Sequence, residues 1–102
     1  MSTSTTTTTN VNYYSTPGEI LNEEFLEPLG ISRYRLAKAI GVSETAIGEI
    51  IHGRRRITAA MAWRLGKALG TTPDFWSNLQ ADYDLLTFDP SSLGDIHPLV
   101  NA

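Results

Sequence analysis

Apolar residues recur at helical spacing from Ile20 to Leu86, and nowhere over a strand's length do they alternate with polar ones. Five helices follow from this pattern and its punctuation. Thr16 with Glu19 three residues on forms a capping box, with Pro17 at the first helical position. The first helix is expected over roughly Pro17–Glu27, with Ile20, Leu21, Phe25 and Leu26 inward and with Pro28 and Gly30 ending it. Ser32, Ser43, Thr58 and Thr72 are the N-caps of the next four helices. Gly30, Gly41, Gly53 and Gly70 stand where each preceding helix stops.

Two of these junctions are reinforced. Ile31 before Ser32 pairs with Leu36, and Val42 before Ser43 pairs with Ile47, each a hydrophobic staple. Leu36 and Ile40 are spaced to share a core with Ile47 and Ile50. Ala37 is small enough for close approach, and Gly41 makes the turn. Residues 32–56 thus read as two short helices joined by a tight turn, with three arginines beyond the second. The last helix carries Phe75, Trp76, Leu79, Tyr83 and Leu86 in one broad stripe. We expect Phe75 and Trp76 mainly in the core, and Leu79, Tyr83 and Leu86 partly in a symmetric dimer interface.

The ends differ. Residues 1–15 hold a Thr-rich, low-complexity run with too little apolar surface to pack, expected to be disordered, with Val11, Tyr13 and Tyr14 as exceptions. Residues 89–102 hold Pro90, Gly94 and Pro98 and read as a loop-like tail, with Leu93, Ile96, Leu99 and Val100 available for packing. The domain between them, 16–88, is expected to be all-α.

Charge changes the picture. The net charge is −3, yet all eight Lys and Arg lie between Arg33 and Lys67, beside two acids, Glu44 and Glu49. That window carries +6 and the remainder −9. A basic centre on a helix-turn-helix pattern points to DNA. The third helix offers an outward face of Glu44, Thr45, Gly48, Glu49 and His52. In such motifs this helix enters the major groove, where Thr45 can reach a base edge or a thymine methyl and a glutamate can accept from a cytosine amine. Arg33, Tyr34, Arg54, Arg55 and Arg56 flank the groove and suit phosphates. His52 fits a structural role at a helix C-terminus. A mid-helix Gly48 costs about 1 kcal/mol relative to alanine, so close approach of DNA or simple exposure has to explain it.

Other chemistries are poorly supported. There is no cysteine, hence no disulfide or thiolate metal site. His52 and His97 lack ligand spacing, and Asp82 and Asp84 point apart on their helix. There is no glycine-rich phosphate loop, and no serine has an evident base. We expect no enzyme activity, no cofactor and no metal. No apolar run approaches about eighteen residues and no secretory signal is evident, so a cytoplasmic protein without membrane contact is expected.

RYRLAKAIGVSETAIGEIIHG resembles the Xre/Cro helix-turn-helix superfamily, and so a lambda-repressor-like domain. Over Pro17–Leu86 the motifs PGEIL, EPLGIS, HGRRRIT and TPDFWSNLQ resemble the HigA (VapI) antitoxin family. The resemblance implies a type II antitoxin that represses its own operon as a homodimer on a palindromic operator. It also implies a small basic toxin partner, typically a RelE-like mRNA nuclease. By position, Ser43, Glu44, Thr45, Ala46 and Gly48 match the family's base-reading stretch. A free-standing dimeric repressor without a toxin is the alternative, and an interaction module that no longer reads DNA is a third. A palindrome bound at moderate salt and a toxin reading frame beside the gene distinguish them.

Overall fold

The computed structural model describes residues 15–100; the reading of the Thr-rich segment, with Val11, Tyr13 and Tyr14, lies outside them. The described residues form five helices and no strand. α1 is α-helical over Pro17–Ile20, π-helical over Leu21–Leu26 and α-helical again over Glu27–Leu29. α2 spans Arg33–Ile40, α3 Glu44–Ile51, α4 Ala59–Leu69 and α5 Pro73–Thr87.

Every expected cap is formed. Thr16 and Glu19 exchange hydrogen bonds, with Glu19 N–H donating to Thr16 Oγ1 at 3.1 Å and Thr16 N–H to Glu19 Oε1 at 2.9 Å. Ser32 Oγ accepts from Arg35 N–H, Ser43 Oγ from Ala46 N–H, Thr58 Oγ1 from Met61 N–H and Thr72 Oγ1 from Phe75 N–H. Each such cap is worth about 1 kcal/mol, and together they set where the helices begin.

α1 corrects one expectation. It does not end at Glu27 but continues through Pro28 to Leu29. A proline inside an α-helix removes one hydrogen bond and its ring strikes the carbonyl four residues back. Here Glu27 N–H donates to Asn22 O, five residues back, so the turn ahead of Pro28 is wider and its carbonyls are displaced.

The core lies where α1, α2, α3, α4 and the first half of α5 meet. Leu21, Leu36, Ile47, Ile50, Leu65 and Trp76 are its largest fully buried side chains. Ile31 and Val42, the outer halves of the two staples, are half-buried and pack against it. α1 crosses the end of α3 so closely that a Cβ on Gly18 would fall 1.7 Å from Ile50 O. Trp76 reaches back from α5, its Nε1–H donating to Thr71 Oγ1 at 2.7 Å. Phe75 is more exposed than expected, at 37%, because it packs edge-on beside Phe25 and Trp76 rather than beneath them.

The C-terminal segment also departs from expectation. A short 3-10 turn, Pro90–Leu93, is held by Asp89 Oδ1, which accepts from Ser91 N–H and Oγ–H. Leu93, Ile96, Leu99 and Val100 are all exposed, so they do not pack on the domain they follow. Leu85 and Leu86 at the end of α5, and Phe88 just beyond it, are exposed as well.

Candidate nucleic-acid interface

α2 and α3 are joined through Gly41, whose φ of +74° turns the chain where a Cβ would be strained. Val42 N–H donates to Ala37 O at 3.0 Å, closing the turn. Arg64 of α4 donates to Ile40 O, covering the exposed end of α2. The first helix of the pair is therefore fixed by Ser32 at its start and by Arg64 at its end.

α3 turns two faces. Ala46, Ile47, Ile50 and Ile51 are buried. Glu44, Thr45 and His52 are exposed, and Gly48 and Glu49 are half-buried. Ala46 must therefore be removed from the base-reading set, since at 7% exposure its methyl belongs to the core face. Ser43 remains at the surface, but its Oγ is engaged in capping α3. The other expected base readers, Glu44, Thr45 and Gly48, line one shallow depression together with Arg33, Glu49, His52 and Arg54.

The arginines divide. Arg33 and Arg54 both border the depression, and neither makes an ion pair among the described residues. Arg55 turns back onto α3, its Nη2 2.7 Å and its Nε 2.9 Å from Glu49 Oε1. Arg56 turns the other way, with Nη2 2.7 Å from Asp84 Oδ2 on α5. That contact, followed by a hydrogen bond from Gln80, holds the Asp84 carboxyl below its ordinary value of 3.8. Both paired arginines stay more than half exposed, so their charge still contributes to the local field. Tyr34 is exposed beside Lys38, whose ammonium lies 5.5 Å from the ring centroid and donates to the phenolic oxygen.

Glu49 is thus not a bare acid in the depression, because Arg55 compensates it from the following loop. That loop is well anchored. Arg54 N–H donates to Glu49 O and Gly53 N–H to Ile50 O, with Gly53 at φ +77°, a Schellman end to α3. Ile57 N–H donates to Gln80 Oε1, and Gln80 Nε2–H to Asp84 Oδ1 at 3.0 Å. Sequence reasoning missed Gln80 and Asp84. Their signal was a polar pair spaced i, i+4 along the apolar stripe that begins at Trp76.

The expected dimer residues are not equally placed. Leu79 packs partly on its own core, and Tyr83 is half-buried. Leu86 is 55% exposed, and Leu85, Phe88 and Trp63, not singled out from the sequence, are exposed as well. Among the described residues no group of three or more His, Asp or Glu lies close enough to hold a metal ion. No helix among the described residues is long and apolar enough to cross a membrane.

The family model described as HTH_3, helix-turn-helix, matches residues 23–76, from mid-α1 to the start of α5. Virulence-associated protein I of Dichelobacter nodosus is 46% identical over 85 residues, covering 81% of this chain and 79% of that protein. Antitoxin HigA-1 of Vibrio cholerae is 47% identical over 68 residues, covering 67% of this chain and 64% of that protein. The structure of Pseudomonas aeruginosa antitoxin HigA with the higBA promoter superposes with a TM-score of 0.78 at 40% identity, covering 83% of this chain and 97% of that one. Proteins of this kind are DNA-binding regulators, not enzymes. The chain belongs to the HTH_3 helix-turn-helix family and is a HigA (VapI) type member of it.

Proposed function

We propose that this protein is the antitoxin of a type II toxin–antitoxin pair, acting in the cytoplasm. In this reading it represses its own operon by binding a palindromic operator as a homodimer, and it neutralises a small basic toxin of the RelE-like mRNA-nuclease type. The carrying observation is the depression on the outer face of α3, where Thr45, Glu44 and Gly48 lie beside the guanidinium groups of Arg33 and Arg54, which make no ion pair among the described residues. A relative of the same fold is solved with its promoter. Thr45 would face base edges, while Arg54, Arg55, Arg56 and Tyr34 would face phosphates.

Two surfaces support the remaining parts. The end of α5 and the tail that follows it expose Leu85, Leu86, Phe88, Leu93, Ile96, Leu99 and Val100, apolar side chains that a partner surface would cover. A two-fold through this end of α5, with Tyr83 and Leu86 at its inner margin, would cover it and set two α3 helices about 34–36 Å apart. On α1, Glu19, Glu23, Glu24 and Glu27 are exposed and suit a basic partner. Mobility-shift titration of the DNA upstream of the gene tests the repressor reading. Co-expression with the adjacent small basic reading frame, followed by pull-down and growth rescue, tests the antitoxin reading. Specific DNA binding without a toxin would leave a free-standing repressor.

A further inference from the structure

Glycine weakens the middle of a helix, and over Gly48 a side chain from the neighbouring helix comes close. A Cβ there would lie 3.3 Å from Arg33 Nη1. Arg33 is the first residue of α2, yet its guanidinium lies across the outer face of α3, where the side chain of residue 48 would stand. It shares that depression with Glu44 and Thr45, and neither Glu44 nor Glu49 is within ion-pair distance of it. The other cations of α2 do not join it: Lys38 sits over the Tyr34 ring, and Arg35 lies outside the depression.

We propose that Arg33 reads a guanine in the major groove rather than a phosphate, and that Gly48 is the clearance that admits it. This rests on the reading that the outer face of α3 meets DNA. The residues of α3 itself offer little for such a contact: Thr45 has one hydroxyl and one methyl, Gly48 has no side chain, and the glutamates only accept. Guanine presents two acceptors, O6 and N7, that match the paired N–H groups of a guanidinium. The neighbouring helix therefore supplies the two-donor fork that α3 lacks.

The test compares wild type, Arg33→Ala, Arg33→Lys, Arg54→Ala and Gly48→Ala on the operator, on operators with each G·C pair exchanged in turn, and on scrambled duplex at one salt concentration. Circular dichroism confirms that the exposed substitutions leave the fold intact. In wild type, exchanging one G·C pair per half-site should weaken binding roughly 5- to 150-fold. Arg33→Ala should abolish that discrimination while scrambled DNA is bound within about threefold of wild type, and Arg33→Lys, which keeps the charge without the fork, should not restore it. Gly48→Ala should erode discrimination at the same pair while raising helix stability. Arg54→Ala should weaken operator and scrambled DNA alike. Equal weakening of both by Arg33→Ala, with base preference unchanged, would overturn the proposal and return Arg33 to the phosphates. Wild-type protein with no preference for any duplex would instead overturn the DNA reading on which it rests.

Discussion

Gln80 and Ile57 meet where the arginine loop returns to the core: the Gln80 side-chain oxygen accepts the Ile57 backbone N–H at 2.7 Å, and both residues are buried. A loop that leaves a helix must satisfy its own buried amides, and here a side chain from α5 does so. The same Gln80 donates to Asp84, which receives Arg56. One short network thus connects the loop after α3 to α5.

Gln80→Leu preserves much of the volume but leaves the Ile57 N–H without its acceptor. An orphaned buried donor costs about 1–3 kcal/mol, so the urea midpoint should fall accordingly. Unchanged stability would mean that this amide finds another partner.

Asp84 should confer a specific acid sensitivity. Its carboxyl is held below 3.8 in the fold by Arg56, so the stabilisation is complete above that value and is lost as pH falls through the folded value. The pair is partly solvent-exposed, which limits its contribution to within about 1 kcal/mol. In denaturant titrations wild type should exceed Asp84→Asn near neutrality, and the two should converge below pH 3.8. A gap that widens toward acid would contradict the assignment.

Gly18→Ala should be among the most damaging small substitutions. The new methyl would collide with backbone, not with a movable side-chain end, because Ile50 O lies 1.7 Å from the Cβ position. Overpacking of this kind typically costs about 1–3 kcal/mol, and more where backbone must shift. Thermal melting measures it directly.

These contacts show what the chain made legible and what it hid. The five caps were readable because each is a hydroxyl bonding an amide three residues away. The staples and the core positions Leu36, Ile47 and Ile50 followed from helical spacing. Pro28 misled because the relief it needs is a widened turn upstream, which no residue type announces. Ala46 misled because the family's pattern outweighed its spacing, which already grouped it with Ile47 and Ile50. The position of Arg33 over Gly48 depends on a side-chain conformation across two helices, beyond the reach of any local rule. The exposure of the apolar tail could not be foreseen, since helical spacing speaks only for positions within a helix.

DNA affinity should fall steeply with salt. About 6–10 phosphate contacts per dimer would lose roughly 10³–10⁵ in affinity between 50 and 200 mM. Arg54→Ala, Arg55→Ala and Arg56→Ala together should weaken all sequences comparably, whereas Thr45→Ala should change sequence preference. Filter binding on operator and scrambled duplex distinguishes these outcomes, and a flat salt response would oppose a DNA role.

Leu85→Asp with Leu86→Asp should separate subunits without unfolding them. Both side chains are well exposed, at 79% and 55%, so monomer stability should change by no more than about 0.5 kcal/mol. Sedimentation equilibrium should report a dimer for wild type, as the proposed function requires, and a monomer for the variant; an equal mass for both would oppose an interface at this end of α5.

Arg55 is tied to α3 and Arg56 to α5, while Gln80 fastens Ile57 just beyond them. The loop is therefore a strut of set length. In a dimer joined through α5, this strut would gauge the separation of the two reading heads, so substitutions at Arg56, Gln80 or Asp84 should alter which half-site spacing an operator must have, even though Gln80 and Asp84 are themselves remote from the bases.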